Sequence, residues 1–267
     1  MTIGINQPYY LPYIGFFERA KACDLFIINP YTSINRKRTY HRRSKIIQLH
    51  PNAEKNYLYL TQFIESKYDK QYFSNIELND LFWKRQKIHI QTIYGTYKRS
   101  YYFSYVKDIF DLMDDKNCQN LGEYNTKLIL FLAKKLFIAD KFLDIGKRED
   151  IPAYILTNNQ PEQYKNKATY TNLYLCRKFR ATMHFAGQNG PLWLDEKIFG
   201  EYGIKVKYQR MKFLCYKQYS KNSVFVKGLS ILDLLFNCGP NSVDELGRNS
   251  SFINRGTLLK TMVLTGR

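Results

Sequence analysis

Two periods of hydrophobic and polar positions alternate along the chain. Ile3 to Ile5 and Leu25 to Ile28 are short apolar runs of strand type. Between them, residues 13–22 carry Ile14, Phe17 and Lys21 at helical spacing. The pattern predicts a compact βαβ unit with a parallel strand pair. Residues 44–49 and 57–62 then read as a hairpin turning at Pro51-Asn52. A helix is predicted over 79–97, with Asn79 as N-cap and Asp80 in its first turn. A second is predicted over about 101–113, and a third over Leu121 to Phe137 behind the polar stretch 114–117.

Phe142 to Ile145 reads as a short strand, and 146–168, with Pro152, Pro161 and Asn158-Asn159-Gln160, as a mobile loop. Further predictions are a helix over 169–179, a strand over Thr182 to Phe185 closed by Gly187, and a turn over Gln188 to Pro191. A helix over 192–201 ending at Gly203, a strand over Ile204 to Tyr208 and a helix over 229–237 ended by Gly239 complete the list. No internal repeat is present. The expected fold is α/β: a mixed, partly parallel sheet covered by helices. Residues 1–245 would form a single domain with 79–137 as a helical insertion, and 246–267 a loosely ordered polar tail.

Composition narrows the class. At 267 residues and 45% apolar content the chain can bury a sizeable core. No run of 18 apolar residues and no basic start with an apolar core are present, so a cytoplasmic protein without membrane span or signal peptide is expected. Cys23, Cys118, Cys176, Cys215 and Cys238 are scattered and form no Cys-x-x-Cys pair, so they read as reduced thiols, and no metal is expected. The net charge of +18 has two readings. One is an anionic partner such as nucleic acid, an acidic surface or a phosphorylated substrate. The other is a Lys-rich composition that raises the charge everywhere. One cluster is dense: Arg36, Lys37, Arg38, His41, Arg42, Arg43 and Lys45. It is either an anion-binding element or a solvated basic loop.

Familiar chemical signatures are missing. There is no Gly-x-x-x-x-Gly-Lys-(Ser/Thr), no Gly-x-Gly-x-x-Gly behind a strand and no Gly-x-Ser-x-Gly. What remains is the segment Ile5-Asn6-Gln7-Pro8-Tyr9-Tyr10-Leu11-Pro12-Tyr13-Ile14-Gly15-Phe16-Phe17. Two prolines fix φ twice in a loop that follows the first strand, which is where α/β proteins meet ligands. An aromatic turn packing the N-terminus would use the same residues. Of the histidines, His50 reads as a surface residue and His184 as a core or sheet-edge residue. His41, inside the basic cluster, would be a neutral donor or base. His89 would lie on a helix near Arg85, Gln86 and Lys87. Asp24 opens the second strand, and Asp233 sits in the apolar run Leu229 to Phe236, where a carboxylate needs a partner. The partners on offer are the basic cluster, Tyr216 or a backbone amide; an Asp–Arg bridge is the first expectation there and a substrate contact the second.

The N-terminal segment is followed by Ala22-Cys23-Asp24, His41-Arg42-Arg43-Ser44-Lys45-Ile46, His89 eight residues before Tyr97, Ala186-Gly187, Tyr216-Lys217-Gln218 and Leu229-Ser230-Ile231-Leu232-Asp233-Leu234-Leu235-Phe236-Asn237-Cys238-Gly239. In this order and at these distances the segments resemble the WbqC-like family. Asn6 stands where the family start usually has His, and Asn29-Pro30 where an acidic pair often follows the second strand.

The resemblance implies a transferase of surface-polysaccharide (O-antigen, lipopolysaccharide) biosynthesis, attaching a glycyl-like acyl group to the amine of a nucleotide-linked amino sugar. Under it, His89 or Asp24 is the base and Gln7 and loop amides hold the oxyanion. Arg42, Arg43 and Lys45 clamp the diphosphate of a nucleotide sugar or other phosphorylated substrate. Tyr10, His41, Tyr97, Tyr216, Gln218 and Asp233 complete the expected binding set. No cofactor is expected, and an aminoacyl-tRNA is a candidate donor. The alternatives are a nucleic-acid-acting protein, either aminoacyl-tRNA-dependent or modifying DNA bases with an amino acid, and a non-enzymatic partner protein of a biosynthetic cluster.

Overall fold

The computed structural model describes residues 1–35, 39–49, 54–151, 167–213, 215–219 and 224–264. Outside them lie Arg36, Lys37 and Arg38 of the basic cluster, His50, the expected Pro51-Asn52 turn, and residues 152–166 of the expected loop.

β1 (Thr2–Asn6), α1 (Ile14–Ala22) and β2 (Leu25–Ile28) form the predicted βαβ unit, with Ile3 opposite Leu25 and Asn6 opposite Ile28 in parallel register. β3 (Arg43–Ile47) and β4 (Tyr57–Thr61) pair as an antiparallel ribbon of their own. Four helices follow: α2 (Asp80–Tyr97), α3 (Phe103–Val106), α4 (Ile109–Asp114) and α5 (Leu121–Lys135). Asn79 and Asn120 cap the two long ones, their side-chain oxygens accepting from the backbone N–H of Phe82 and Glu123 at 2.9 Å each. β5 (Phe142–Asp144), α6 (Lys167–Lys178), β6 (Met183–Ala186), α7 (Glu196–Glu201) and β7 (Lys205–Met211) return the chain to the main sheet. α8 (Ile231–Cys238), α9 (Ser242–Glu245), β8 (Ser250–Ile253) and α10 (Arg255–Leu264) complete it.

The sheet runs β5-β2-β1-β6-β7-β8, parallel throughout except for β8. The chain builds outward from β1 to β2 and β5, then returns to build β6 and β7 on the other side. This is a doubly wound order, with its switch point between β1 and β6. Side-chain alternation explains the two layers. Phe26 and Ile28 face the core that holds Phe16, Phe17 and Ala20 of α1, whereas Ile3, Ile5 and Ile27 face the core that holds Leu173 and Cys176 of α6 and Phe199 of α7. Both faces are covered, so these strands read as apolar runs rather than as alternating ones. α8 is buried between α1, the ribbon and the helical layer, where Phe236 stacks on Tyr97 at 4.8 Å and on Phe103 at 5.7 Å.

Three elements depart from the sequence pattern. The single helix expected over 101–113 breaks at Lys107-Asp108, so that the chain wraps Phe103 and Phe110 around the Phe236 ring. The helix expected from 192 starts at Glu196, because Pro191 sits in a separate 3-10 turn and Asp195 caps the later start. Beyond residue 245 the chain is not only a tail: β8 pairs antiparallel with β7 and stacks Phe252 on Phe185 at 4.0 Å. Among the described residues no helix is long and apolar enough to cross a membrane.

Candidate functional site

Three segments distant in sequence meet behind the end of β1. Leu11 takes a positive φ of 39°, a conformation that is strained for a side chain of this size. Its carbonyl holds the turn by accepting from Ser44 Oγ at 2.8 Å and Ser230 Oγ at 2.9 Å. Ile231 N–H donates to the Pro12 carbonyl at 2.8 Å, and Ser230 N–H to the Lys45 carbonyl at 2.7 Å. Ser230 also caps α8. The proline loop, the start of β3 and the start of α8 are thus one hydrogen-bonded unit.

This unit forms a wall of a cavity of about 1080 Å³ at the C-terminal ends of the parallel strands, over the switch point. Among the described residues its lining carries four cations (Arg19, Arg43, Lys45 and Lys167) and no carboxylate. Tyr9, Tyr13, Tyr31, Tyr40, Tyr59 and Trp193 supply aromatic surface. Arg43 and Lys45 alternate on β3, so both point the same way. The Arg43 guanidinium lies 4.1 Å over the Tyr59 ring, and Lys45 Nζ lies 4.0 Å over Tyr57 and donates to the Lys227 carbonyl at 2.7 Å. Burial pulls the Lys45 ammonium below its ordinary value.

The floor is built from β1, α1, β6 and the turn after β2. Arg19 is buried; it donates to Asn6 Oδ1 and packs 5.3 Å over the Phe26 ring, and burial lowers its pKa. No carboxylate among the described residues pairs with it. Gly187, after β6, leaves it room: a Cβ there would stand 3.0 Å from Arg19 Nη1. His184 is buried beside it, with Nδ1 3.1 Å from the Ile3 carbonyl. That contact requires the proton on Nδ1, so Nε2 carries a lone pair, and it has no partner. Burial, and secondarily the Arg19 charge, push the imidazole down to about 4. Asn29 accepts from Tyr31 N–H at 2.9 Å through Oδ1, which leaves its Nδ2 without a partner, and Gln7 Oε1 is likewise buried and unpartnered.

Of the residues expected from sequence, Gln7, Tyr10, Arg43 and Lys45 line the cavity. The others lie outside its lining. His89 is buried on α2, with Nδ1 2.9 Å from Tyr10 Oη, whose one proton is donated to Gln86 Oε1 at 3.0 Å. Burial first, then Arg85, lowers His89 to about 4. Asp24 is exposed at the opposite end of the sheet, where Oδ2 accepts from Thr2 N–H at 2.7 Å. His41 is buried under the loop, its carbonyl accepting from Tyr10 N–H at 3.1 Å. Arg42, one residue out of phase with Arg43, turns to the ribbon and donates to the Gln62 carbonyl at 2.6 Å.

Tyr97, Tyr216, Gln218 and Asp233 form a separate buried network. Tyr97 Oη donates to Asp233 Oδ1 at 3.0 Å and Tyr216 Oη to Oδ2 at 2.6 Å, while Gln218 Nε2 donates to Tyr216 Oη at 3.1 Å. Two phenol hydroxyls, not the expected arginine, thus satisfy the Asp233 carboxylate. Burial still pushes it up to about 6.

Sequence reasoning missed Arg19, Asn29 and Lys167 and read His184 as packing. The available signal was Arg19 three residues after Phe16 on α1, since a charge on a core-facing stripe needs an anion. Among the described residues no three of His, Cys, Asp or Glu converge in a metal-binding arrangement.

The chain is 24% identical, over 249 residues, to the uncharacterized protein Rv1507c of Mycobacterium tuberculosis (strain ATCC 25618 / H37Rv), a likeness covering 91% of this chain and 96% of that one. No solved structure matches it. The segments that meet in the cavity wall, from Gln7 through Arg43 to Ser230, fall inside the stretch 7–245 that matches the WbqC-like protein family as a whole, and the chain belongs to that family.

Proposed function

We propose that the cavity binds a nucleotide-linked amino sugar and that the protein transfers to its amine the acyl group of an activated amino acid in surface-polysaccharide biosynthesis, the amide C–N bond forming as the bond from the carbonyl carbon to the activating oxygen breaks and the alcohol or phosphate leaves. The observation that carries this reading is a cavity at the switch point of a doubly wound sheet whose described lining holds four cations, aromatic walls and no carboxylate. Arg43 and Lys45 are the diphosphate clamp, and the tyrosines offer stacking faces to base and sugar. Amide formation needs an acceptor for an amine proton and donors for the developing oxyanion. His184 Nε2, a lone pair in the floor, is the acceptor at hand, and Asn29 Nδ2 and Arg19 are the donors. An anion bound against Arg19 would offset the charge that helps to depress His184 and so raise its basicity.

Calorimetry with UDP- and dTDP-linked amino sugars tests this. Binding should also raise the melting temperature by mass action. Arg43→Ala and Lys45→Ala should each weaken it about tenfold or more, the size of a charge-assisted contact of roughly 1.5–3 kcal/mol. Wild-type affinity in both variants, or no response to any nucleotide sugar, refutes the reading. The net charge of +18 keeps an aminoacyl-tRNA donor in view. Saturable tRNA binding that survives physiological salt, without any nucleotide-sugar response, would put the nucleic-acid reading first.

A further inference from the structure

The floor of the cavity carries four polar atoms without partners, and their types do not suit a phosphate alone. Two are donors: Arg19 Nε, on a buried guanidinium with no carboxylate, and Asn29 Nδ2. Two are acceptors: His184 Nε2 and Gln7 Oε1. All four residues line the same cavity. They sit on adjacent pieces of backbone around the switch point. His184 is paired with Ile3 across β6 and β1, Arg19 donates to Asn6 at the end of β1, Asn29 N–H donates to the Asn6 carbonyl at 2.8 Å, and Asn6 Nδ2 donates to the Gln7 carbonyl at 2.9 Å.

A buried guanidinium is costly unless an anion reaches it, and a buried lone pair is costly unless an N–H or O–H reaches it. A fully ionised phosphate would meet the donors and set its oxygens against both acceptors. A simple carboxylate would satisfy the donors and leave the acceptors dry. A ligand that carries a carboxylate and, one carbon away, an ammonium or hydroxyl matches both halves. Resting on the transferase reading, we infer that the floor is a distinct subsite for an α-amino or α-hydroxy carboxylate, held by Arg19 and Asn29 at the carboxylate and by Gln7 and His184 at the α-substituent. On that reading it receives the acid, whose carboxylate must be activated by a nucleoside triphosphate with loss of pyrophosphate before the amine displaces the nucleotide and the amide forms; the cations of the wall serve the nucleotides.

The test uses the full chain without nucleotide. Glycine, glycolate, acetate and dimethyl phosphate, a phosphate without any O–H, are titrated separately by calorimetry and by ligand-observed NMR. Glycine or glycolate should bind at least tenfold more tightly than acetate or dimethyl phosphate, and Arg19→Met should abolish that binding. Circular dichroism and melting verify the fold of the variant. Removing an unpaired buried charge should leave the unliganded melting temperature equal or higher, whereas a merely structural arginine would lower it. If Arg19→Met does not fold, Asn29→Leu takes its place and should weaken glycine or glycolate binding at least tenfold. Equal binding of acetate, tightest binding of dimethyl phosphate, or no binding of any of the four overturns the inference. The two proposals fail separately. Binding of glycine or glycolate that needs Arg19, with no nucleotide-sugar response, retains the subsite and removes the transferase reading; nucleotide-sugar binding without it does the reverse.

Discussion

Replacing Asp233 by Asn separates a structural carboxylate from one that serves a ligand. Asp233 is buried on α8, bonded to Tyr97 and Tyr216, and raised by burial from 3.8 to about 6. A carboxyl that titrates higher in the folded state than in the unfolded chain contributes stability that is present below its ordinary pKa. That stability is lost as pH rises through about 6. The shift is about 2 units, worth about 3 kcal/mol in all at about 1.36 kcal/mol per unit. Linkage places about 2 kcal/mol of it between about pH 4.5 and about pH 7.5. Asp233→Asn cannot ionise, so its stability relative to the parent should improve by about 2 kcal/mol over that interval, on top of a constant offset for the altered bonds to the two tyrosines. His89 and His184, both depressed to about 4, give the opposite slope: their contribution is present above the ordinary imidazole range and lost as pH falls through about 4. It is common to both proteins and cancels in the comparison. Urea unfolding of parent and variant at matched pH is the assay. A stability difference that stays flat within about 0.5 kcal/mol across the interval would refute the assignment of a carboxyl raised by burial.

Two further substitutions test the frame around the site. Gly4→Ala should destabilise by about 1–3 kcal/mol in urea unfolding, because its Cβ would stand 2.6 Å from the Phe26 ring and 2.9 Å from Cys23 Sγ between two packed layers; a neutral outcome would mean that β1 can shift. Asp24→Ala should cost about 1 kcal/mol through the lost Thr2 N–H bond, read in the same assay; calorimetry should find nucleotide-sugar affinity unchanged, and a loss of affinity would return Asp24 to the site.

The fold was more legible than the site because local patterns carry the fold. Apolar runs at Ile3 to Ile5 and Leu25 to Ile28 with a short amphipathic helix between them leave little choice but a parallel pair, and the structure has it. β8 escaped notice because Ser250-Ser251-Phe252-Ile253 has no strand alternation; what makes it a strand is the unpaired edge of β7, which lies 40 residues back in sequence. Site residues divide along a similar line. The expected set followed the polar positions of recognisable segments, and several of those positions turn out to join one segment to another. Ser44 and Ser230 hold the Leu11 carbonyl, and Tyr97 and Tyr216 hold Asp233. Arg42 and Arg43 differ by one residue, and strand alternation sends one to the ribbon and the other to the cavity, which the basic cluster alone could not resolve. His184 read as a core or sheet-edge position and Arg19 went unread; both are buried, and only the three-dimensional arrangement exposes that Arg19 Nε and His184 Nε2 have no partner.

The loop after β1 explains why this cavity depends on side chains. In doubly wound proteins that hold a pyrophosphate over the switch point, glycines let backbone N–H groups at the first helix meet it. Here Pro8 and Pro12 have no N–H, and those of Tyr9 and Tyr10 are already donated to the carbonyls of Gln7 and His41. The first turn of α1 is also covered: a Cβ on Gly15 would meet the Tyr13 ring at 2.3 Å. With these backbone donors missing or used, positive charge over the strand ends comes from Arg19 inside and from Arg43, Lys45 and Lys167 around the rim. That accounts for the position of the β3–β4 ribbon, which hydrogen bonds to Leu11 and Ser230 fasten beside the switch point rather than in the sheet. It also makes recognition separable. A backbone phosphate loop cannot be removed without refolding the turn, whereas Arg43 and Lys45 lie over tyrosine rings on a ribbon outside the main sheet, so their truncation removes charge from the wall and leaves the β1–α1–β2 frame in place.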